Sequence, residues 1–278
     1  NITALGAIQV EISLMKTVVI TGSTRGIGKG LAENFLARGC AVVISGRQQP
    51  AVDAVVAELG QRYGADKLAG MACEITDAGQ LQVLWDHAVA SFKRVDIWIN
   101  NAGISVPRKP LHEAAPEDIA RIVDINLGGL LQANRVALGG MLAQGSGQIW
   151  NMEGFGSGGQ VQPGMCAYGA TKRAVNYVNK ALQKEIKGTA VQVCTLSPGI
   201  VVTDLLVGDY DTTSPEWEKS KKIFNILGDK VETVTPYLVD GILKADKSGA
   251  KVAWLTGGKA FRRFMTAGFN KRDLFTEL

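Results

Sequence analysis

Short β-branched runs alternate along the chain with longer stretches whose apolar residues return every three or four positions. The runs near 16–21, 41–45, 67–72, 95–99, 147–151, 190–196 and 251–255 read as strands; the first, Lys16-Thr-Val-Val-Ile20, suits a strand buried on both faces. After it, Ile27, Leu31 and Phe35 recur at helical spacing until Arg38-Gly39, a helix stop. The alternation predicts an α/β fold, a doubly wound parallel sheet of about seven strands with helices on both faces. A helix is expected from about Pro116 to Met141, with Ile119, Ile122, Val123, Leu130, Leu131 and Val136 spread over more than one face. Such a helix has a second apolar side to bury, against its own domain or against another subunit.

Composition narrows the class. With 278 residues, 46% of them hydrophobic, the chain can bury a full core, and no repeat or Pro/Gly/Ser linker divides it. Residues 15–278 therefore read as one domain. Residues 1–14 read as an extension, either a genuine N-terminal segment or residues placed before a native start at Met15. The net charge of +4 is mild, and no basic block interleaves with aromatics, which argues against a nucleic-acid partner. Cys40, Cys73, Cys166 and Cys194 are scattered and only two histidines occur, so buried reduced thiols in a cytoplasmic compartment are expected and a metal site is not. No apolar run reaches the ~18–20 residues of a transmembrane segment.

Two segments carry the chemistry. Thr21-Gly22-Ser23-Thr24-Arg25-Gly26-Ile27-Gly28 lies between a strand and a helix, where free N–H groups and the helix dipole can hold a pyrophosphate if no side chain intervenes. Far downstream, Tyr168 and Lys172 sit one helical turn apart. A free phenol titrates near pH ~10, and an adjacent ammonium favours the phenolate. Together the segments predict a dinucleotide site beside a proton-transfer group.

The Gly-x-x-x-Gly-x-Gly spacing resembles that of the short-chain dehydrogenase/reductase family, and other motifs follow in order: Asn100-Asn101-Ala102-Gly103, Asn126, Tyr168-x-x-x-Lys172, and Ser197-Pro198-Gly199 with Thr203. The resemblance spans about Met15 to Gly258. It implies a Rossmann-type domain assembled as a homodimer or homotetramer. It also implies cofactor contacts from Gly22, Ser23, Thr24, Arg25, Gly26, Ile27, Gly28, Glu74, Ile75, Asn101, Ala102, Gly103, Tyr168, Lys172, Pro198, Gly199, Ile200 and Thr203, with Tyr168, Lys172 and Asn126 catalytic. At the end of the second strand, Gly46 stands where members that prefer NAD carry an acid. Arg47 and Arg25 can each offer paired hydrogen bonds to a 2′-phosphate, so NADP(H) is the expected cofactor.

One position departs from the family. Its catalytic serine follows the fifth strand, but here the segment reads Ile149-Trp150-Asn151-Met152-Glu153-Gly154, with glycine in the serine's place. Losing one donor of this kind typically costs ~10²–10³ in rate. Ser157 could replace it if the loop bulges, and Glu153 could if burial kept it protonated. The segment through Gly159, with 168–173 and 196–206, is similar to the chlorophyll b reductase branch, which reduces a chlorin formyl group to hydroxymethyl. That likeness implies a large carbonyl or alcohol substrate, with chlorophyll b or chlorophyllide b the leading candidate and a plastid stroma or thylakoid surface the alternative compartment. Leu205, Leu206, Trp217, Phe224 and Leu227 suit a lid at about 200–230. The tail 257–278 interleaves Phe261, Phe264, Phe269 and Phe275 with basic residues, as docking on a subunit, a partner or an anionic membrane surface would require. His112 is a candidate for the cleft mouth. A general ketoreductase, or a cofactor-binding regulator with weakened catalysis, is the alternative.

Overall fold

A computed structural model describes residues 15–208, 210, 212–269 and 272–276. Residues 1–14, where the extension was expected, lie outside that set. Seven parallel strands form one sheet in the order β3-β2-β1-β4-β5-β6-β7. They are β1 (Thr17–Ile20), β2 (Ala41–Gly46), β3 (Leu68–Ala72), β4 (Ile97–Asn100), β5 (Gly147–Met152), β6 (Val191–Ser197) and β7 (Lys251–Ala253). The order reverses between β1 and β4, which opens a crevice at the carboxyl ends of those two strands.

Period-two alternation decides which core each strand residue joins. Val18, Ile20, Val42, Ile44, Ile97 and Ile99 face one layer. It contains α1 (Gly26–Leu36), α2 (Gln49–Tyr63) and α9 (Val231–Lys244), through residues such as Phe35, Leu59 and Leu238. Val19, Val43, Trp98, Ile149 and Val193 face the other, where α3 (Ala78–Phe92) and α5 (Leu130–Gln144) bring Leu84, Trp85, Val136 and Met141. Trp98 and Trp150 are fully buried core residues.

The helix expected over 116–141 is interrupted. It runs as α4 (Pro116–Val123), a π segment (Asp124–Gly129) and then α5. Its apolar surplus divides: Ile122 and Leu130 are buried within the domain, whereas Val123 and Leu131 are exposed. The extra residue per turn of a π segment swings its side chains out of line with the helix on either side, and such segments recur at functional sites.

Beneath the sheet's carboxyl edge lies a buried amide network that no sequence pattern announced. Asn151 accepts from Asn100 at 2.7 Å, exchanges hydrogen bonds with Asn134 at 3.1 Å and donates to Asn179 at 2.6 Å. Asn179, on α6 (Cys166–Glu185), donates to Thr195 at 2.8 Å. These bonds satisfy otherwise costly buried amides and tie β4, β5, β6, α5 and α6 together under the site. One expectation fails at the start of α6: Cys40, Cys73 and Cys194 are buried, but Cys166 is exposed, because it opens the helix where the chain enters from a surface loop.

Candidate active site

The crevice between β1 and β4 is a cavity of about 380 Å³ walled by Gly22, Arg25, Gly28, Arg47, Glu74 and Thr203, among others. Its floor is backbone held at short range. Gly22 has φ +64°, and a Cβ there would lie 3.0 Å from Ala102 Cα. A Cβ at Gly28 would collide with the Gly22 carbonyl and come within 2.6 Å of Asn101 Nδ2. Asn101 in turn donates to the Thr21 and Gly22 carbonyls, both at 2.9 Å, welding the loop after β4 to the glycine turn. The helix N-terminus therefore stays bare, as an approaching pyrophosphate requires. By this test the residues present fit a dinucleotide.

Thr24, Gly26, Ile27, Ile75, Ala102 and Gly103 also wall the cavity. Ser23 does not. Its hydroxyl donates to the Ile20 carbonyl at 2.8 Å and accepts from Ser45 N–H at 2.9 Å, and its own N–H donates to the Ser45 carbonyl. Ser23 is fully buried and braces the turn from behind. Pro198, Gly199 and Ile200 also stay off the wall. Gly199, at φ +74°, packs on Leu255, and Ile200 joins the lid's apolar cluster. Arg47 is exposed at the cavity rim, and Arg25 pairs across the mouth with Asp204 at 3.2 Å. Gly46 is needed sterically as well, since a Cβ there would stand 2.7 Å from Thr24 Cγ2.

Tyr168 and Lys172 project from α6 toward the same edge. Lys172 is 8% exposed, its Nζ lies 5.9 Å from the Tyr168 ring centroid, and it donates to the Met152 carbonyl at 3.4 Å. Burial lowers its pKa from 10.5 to about 8. Asn126, in the π segment, uses its whole amide on Ile104: Oδ1 accepts from the Ile104 N–H and Nδ2 donates to the Ile104 carbonyl, each at 2.8 Å. A weaker 3.4 Å bond reaches Thr171 on α6. Asn126 thus holds the loop after β4 against the helix that carries Tyr168.

The structure seats neither candidate for the missing serine as a donor. Ser157, 1% exposed, donates to the Lys172 carbonyl at 2.9 Å and accepts from Gly154 N–H at 3.1 Å. Its proton is committed to the helix backbone, so it clamps the loop to α6. The Glu153 carboxylate is engaged in an ion pair with Lys251 on β7 at 2.7 Å. Gly154 itself lies against the phenol. A Cβ at position 154 would fall 2.5 Å from the Tyr168 hydroxyl and 3.1 Å from Lys172 Cδ and Cε. In this chain the phenol and lysine stem occupy the space that a serine side chain would need.

The segment expected as a lid contains α7 (Asp204–Val207) and α8 (Pro215–Leu227) and packs around a small aromatic core of Trp217, Phe224 and Phe275, with Tyr210 against it. Phe275 comes from the tail, which therefore docks on the lid of its own chain. Asp229, at the lid's base, accepts from Arg263 (2.7 and 3.1 Å), Arg272 (2.7 Å) and Trp254 (2.6 Å). Burial raises its pKa, but those hydrogen bonds outweigh burial and hold it below the usual carboxylate value. The other tail aromatics, Phe261, Phe264 and Phe269 on and after α10 (Gly257–Thr266), stay exposed. His112 is solvated and near Glu113, away from any described cavity wall. Sequence reasoning missed Arg108, whose guanidinium stacks on Tyr210 at 4.1 Å. It lines a second cavity, of about 20 Å³, together with Tyr168. A lone loop arginine carries no spacing signal that could have revealed this.

A glycine turn at a sheet switch point, beside a helix-borne Tyr–Lys pair, defines an oxidoreductase that acts on CH–OH and C=O groups with a nicotinamide cofactor. The chain belongs to the short-chain dehydrogenase family, whose pattern matches residues 16–213. It is 38% identical over 272 residues to the chloroplastic chlorophyll(ide) b reductase of Arabidopsis thaliana, covering 94% of this chain and 76% of that one. It is 34% identical over 191 residues to a 3α-hydroxysteroid dehydrogenase of Mediterraneibacter gnavus, covering 69% and 76% of the two chains. Among solved structures, the closed form of serine dehydrogenase complexed with NADP⁺ superposes with a TM-score of 0.74 at 25% identity, covering 86% and 94%. Among the described residues, no helix is long and apolar enough to cross a membrane.

Proposed function

We propose that this protein is an NADPH-dependent reductase of a bulky aldehyde, with the 7-formyl group of chlorophyll b or chlorophyllide b as the favoured substrate. The observation that carries the reading is the 38% identity to a chlorophyll(ide) b reductase over nearly the whole chain. It includes the stretch where glycine replaces the usual serine. The reduced cofactor supplies hydride to the carbonyl carbon. Tyr168 gives its proton to the carbonyl oxygen, and Lys172, when charged, lies close enough to the ring to steady the negative charge left on the phenol oxygen. Asn126 acts indirectly by setting the Ile104 loop. With no hydroxyl at Gly154, Tyr168 is the polarising donor, and binding energy from a broad ring under the lid offsets the lost contact. Arg47 and Arg25 are assigned to the 2′-phosphate. In the case of Arg25 this requires Asp204 to yield it, a modest cost for an exposed pair. A homo-oligomer is proposed from exposed Val123 and Leu131, and a plastid setting from the chloroplastic relative.

The tightness of the space beside Tyr168, where a cavity of about 20 Å³ holds little more than one water, favours a second reading in which a compact ketone or secondary alcohol is the substrate. The two are separated by following NADPH oxidation with chlorophyll b, chlorophyllide b and a panel of small carbonyls. Faster turnover of the chlorins supports the first reading. Efficient reduction of small carbonyls with inert chlorins replaces it with the second.

A further inference from the structure

Arg108 follows Pro107 in the loop after β4, and its surroundings are unusual for a cation. The Nε atom is buried and, among the described residues, has no hydrogen-bond acceptor. Among the described residues, Nη1 reaches only the thioether of Met165 at 3.0 Å, a weak acceptor. One face of the guanidinium is covered by the Tyr210 ring at 4.1 Å, a cation–π contact that leaves the in-plane N–H groups for another partner. The acid that shares its cavity, Asp118, is bound to Arg121 at 3.0 Å. Lys109, a second cation, lines the same cavity and is exposed.

A guanidinium stays charged throughout the pH range of a protein and presents its donors as a rigid fork that matches a carboxylate. A buried donor without an acceptor is costly, and its retention calls for an explanation outside the fold. Arg108 and Tyr168 wall one cavity, so a ligand group that meets the guanidinium from that cavity lies beside Tyr168. The cavity's volume of about 20 Å³ suits an oxygen-bearing substituent rather than a ring.

Resting on the carbonyl-reductase reading, we propose that Arg108 anchors a carboxylate of the substrate, held in place by its stack on Tyr210 of the lid, so that the preferred substrate is an acid. For a chlorin aldehyde this selects the free propionic acid of chlorophyllide b over its esters. Tyr210 packs against the aromatic core of Trp217, Phe224 and Phe275, so the same stack ties Arg108 to that core. Arg108 is a specificity-determining residue; the chemistry at the carbonyl remains with Tyr168.

The test is binding to the NADP⁺-loaded protein, which cannot turn over an aldehyde, measured by calorimetry. Two acid–ester pairs serve as probes: chlorophyllide b with its methyl ester, and 4-carboxybenzaldehyde with its methyl ester. Wild type is expected to bind the acid of a pair about tenfold more tightly. Arg108→Met should abolish that ratio by weakening the acid alone, whereas Arg108→Lys should keep part of it. In NADPH turnover, the loss should appear in KM more than in kcat. Equal affinity for acid and ester in wild type overturns the proposal, as does an unchanged ratio in Arg108→Met. If Arg108→Met melts early, Arg108→Lys and Tyr210→Leu provide the same comparison in a folded protein, and no change of ratio in either overturns it. Acid preference in the benzaldehyde pair with no chlorin binding keeps Arg108's role and removes the chlorin reading. Equal, tight binding of both chlorins does the reverse.

Discussion

The two halves of the active cleft are built differently. On the cofactor side, the floor is backbone: at Gly22, Gly28 and Gly46 neighbouring atoms come within 3.0 Å of where a Cβ would stand, and Asn101 and Ser23 stitch those segments together. On the other side, side chains from distant parts of the chain meet: Arg108 and Tyr168 line the small cavity, and Tyr210 stacks on Arg108 from the aromatic core that holds Phe275. Backbone cradles serve one unchanging ligand and leave little room for variation. Side-chain walls can be rebuilt for new substrates, and this chain has rebuilt one by filling a serine's space with the phenol.

The sharpest way to break that contrast is Tyr168→Phe. Removing the proton donor should lower turnover at least ~10³-fold, consistent with general acid catalysis at the upper part of its usual range. Cofactor affinity, measured by fluorescence titration, should hardly change. Retained turnover would mean that another group donates the proton.

Lys172 makes a prediction about stability. Its folded pKa, about 8, lies below the ordinary 10.5 because the charged amine is buried. Between those values the unfolded chain binds more protons than the native protein, so this residue's contribution to stability rises with pH from about 8 to 10.5, by roughly 3 kcal/mol in all. Buried Cys73 and Cys194, raised to about 12 and about 11, act in the opposite direction at high pH. The quantity to measure is therefore the difference in denaturant stability between wild type and Lys172→Met across that window. A flat difference would place the lysine in water.

Gly154→Ser sharpens the contrast further. Restoring the family's hydroxyl should lower kcat about a hundredfold, comparable to losing a well-placed donor, because the new Cβ displaces the Tyr168 oxygen. Gly154→Ala should do the same. A gain of activity in the serine variant would show that the loop yields and that the phenol's position is incidental.

The smallest effect belongs to the cofactor side. Arg47→Ala should weaken NADPH about tenfold and leave NADH unchanged, since only the 2′-phosphate contact is lost. Gly46→Asp should weaken NADPH at least as much without improving NADH, because the crowding at Thr24 offsets any new ribose contact. Equal losses for both cofactors in Arg47→Ala would remove the arginine from phosphate recognition.

Alternating β-branched runs and helical spacing were enough to read the doubly wound sheet, because strand and helix periods are local properties and parallel strands buried on both faces show as near-continuous apolar runs. The glycine turn, Asn126 and the Tyr168–Lys172 pair were legible for the same reason: each is a short segment whose spacing carries its chemistry. Other features depended on contacts between residues far apart in the chain. The π segment around Asn126 was hidden because one extra residue in a turn leaves the apolar pattern readable as a single helix. Ser157 looked like a free hydroxyl until its bond to the Lys172 carbonyl appeared, and Glu153 looked available until Lys251 was found beside it. The tail reads as an external docking element; Phe275, Arg263 and Arg272 hold part of it on its own chain, while Phe261, Phe264 and Phe269 stay exposed.

By itself, then, the sequence determined the sheet, the glycine turn proposed to cradle the cofactor and the Tyr168–Lys172 pair proposed to move the proton. Tertiary structure decided how crowded position 154 is, what packs under residues 204–227, and that Arg108 shares a cavity with Tyr168 while its buried Nε has no acceptor among the described residues. Periodicity and motif spacing record interactions within one turn or one strand. The fit of a phenol against a missing side chain, or of a guanidinium between a lid ring and a cavity, arises only when segments 14 to 102 residues apart meet in space.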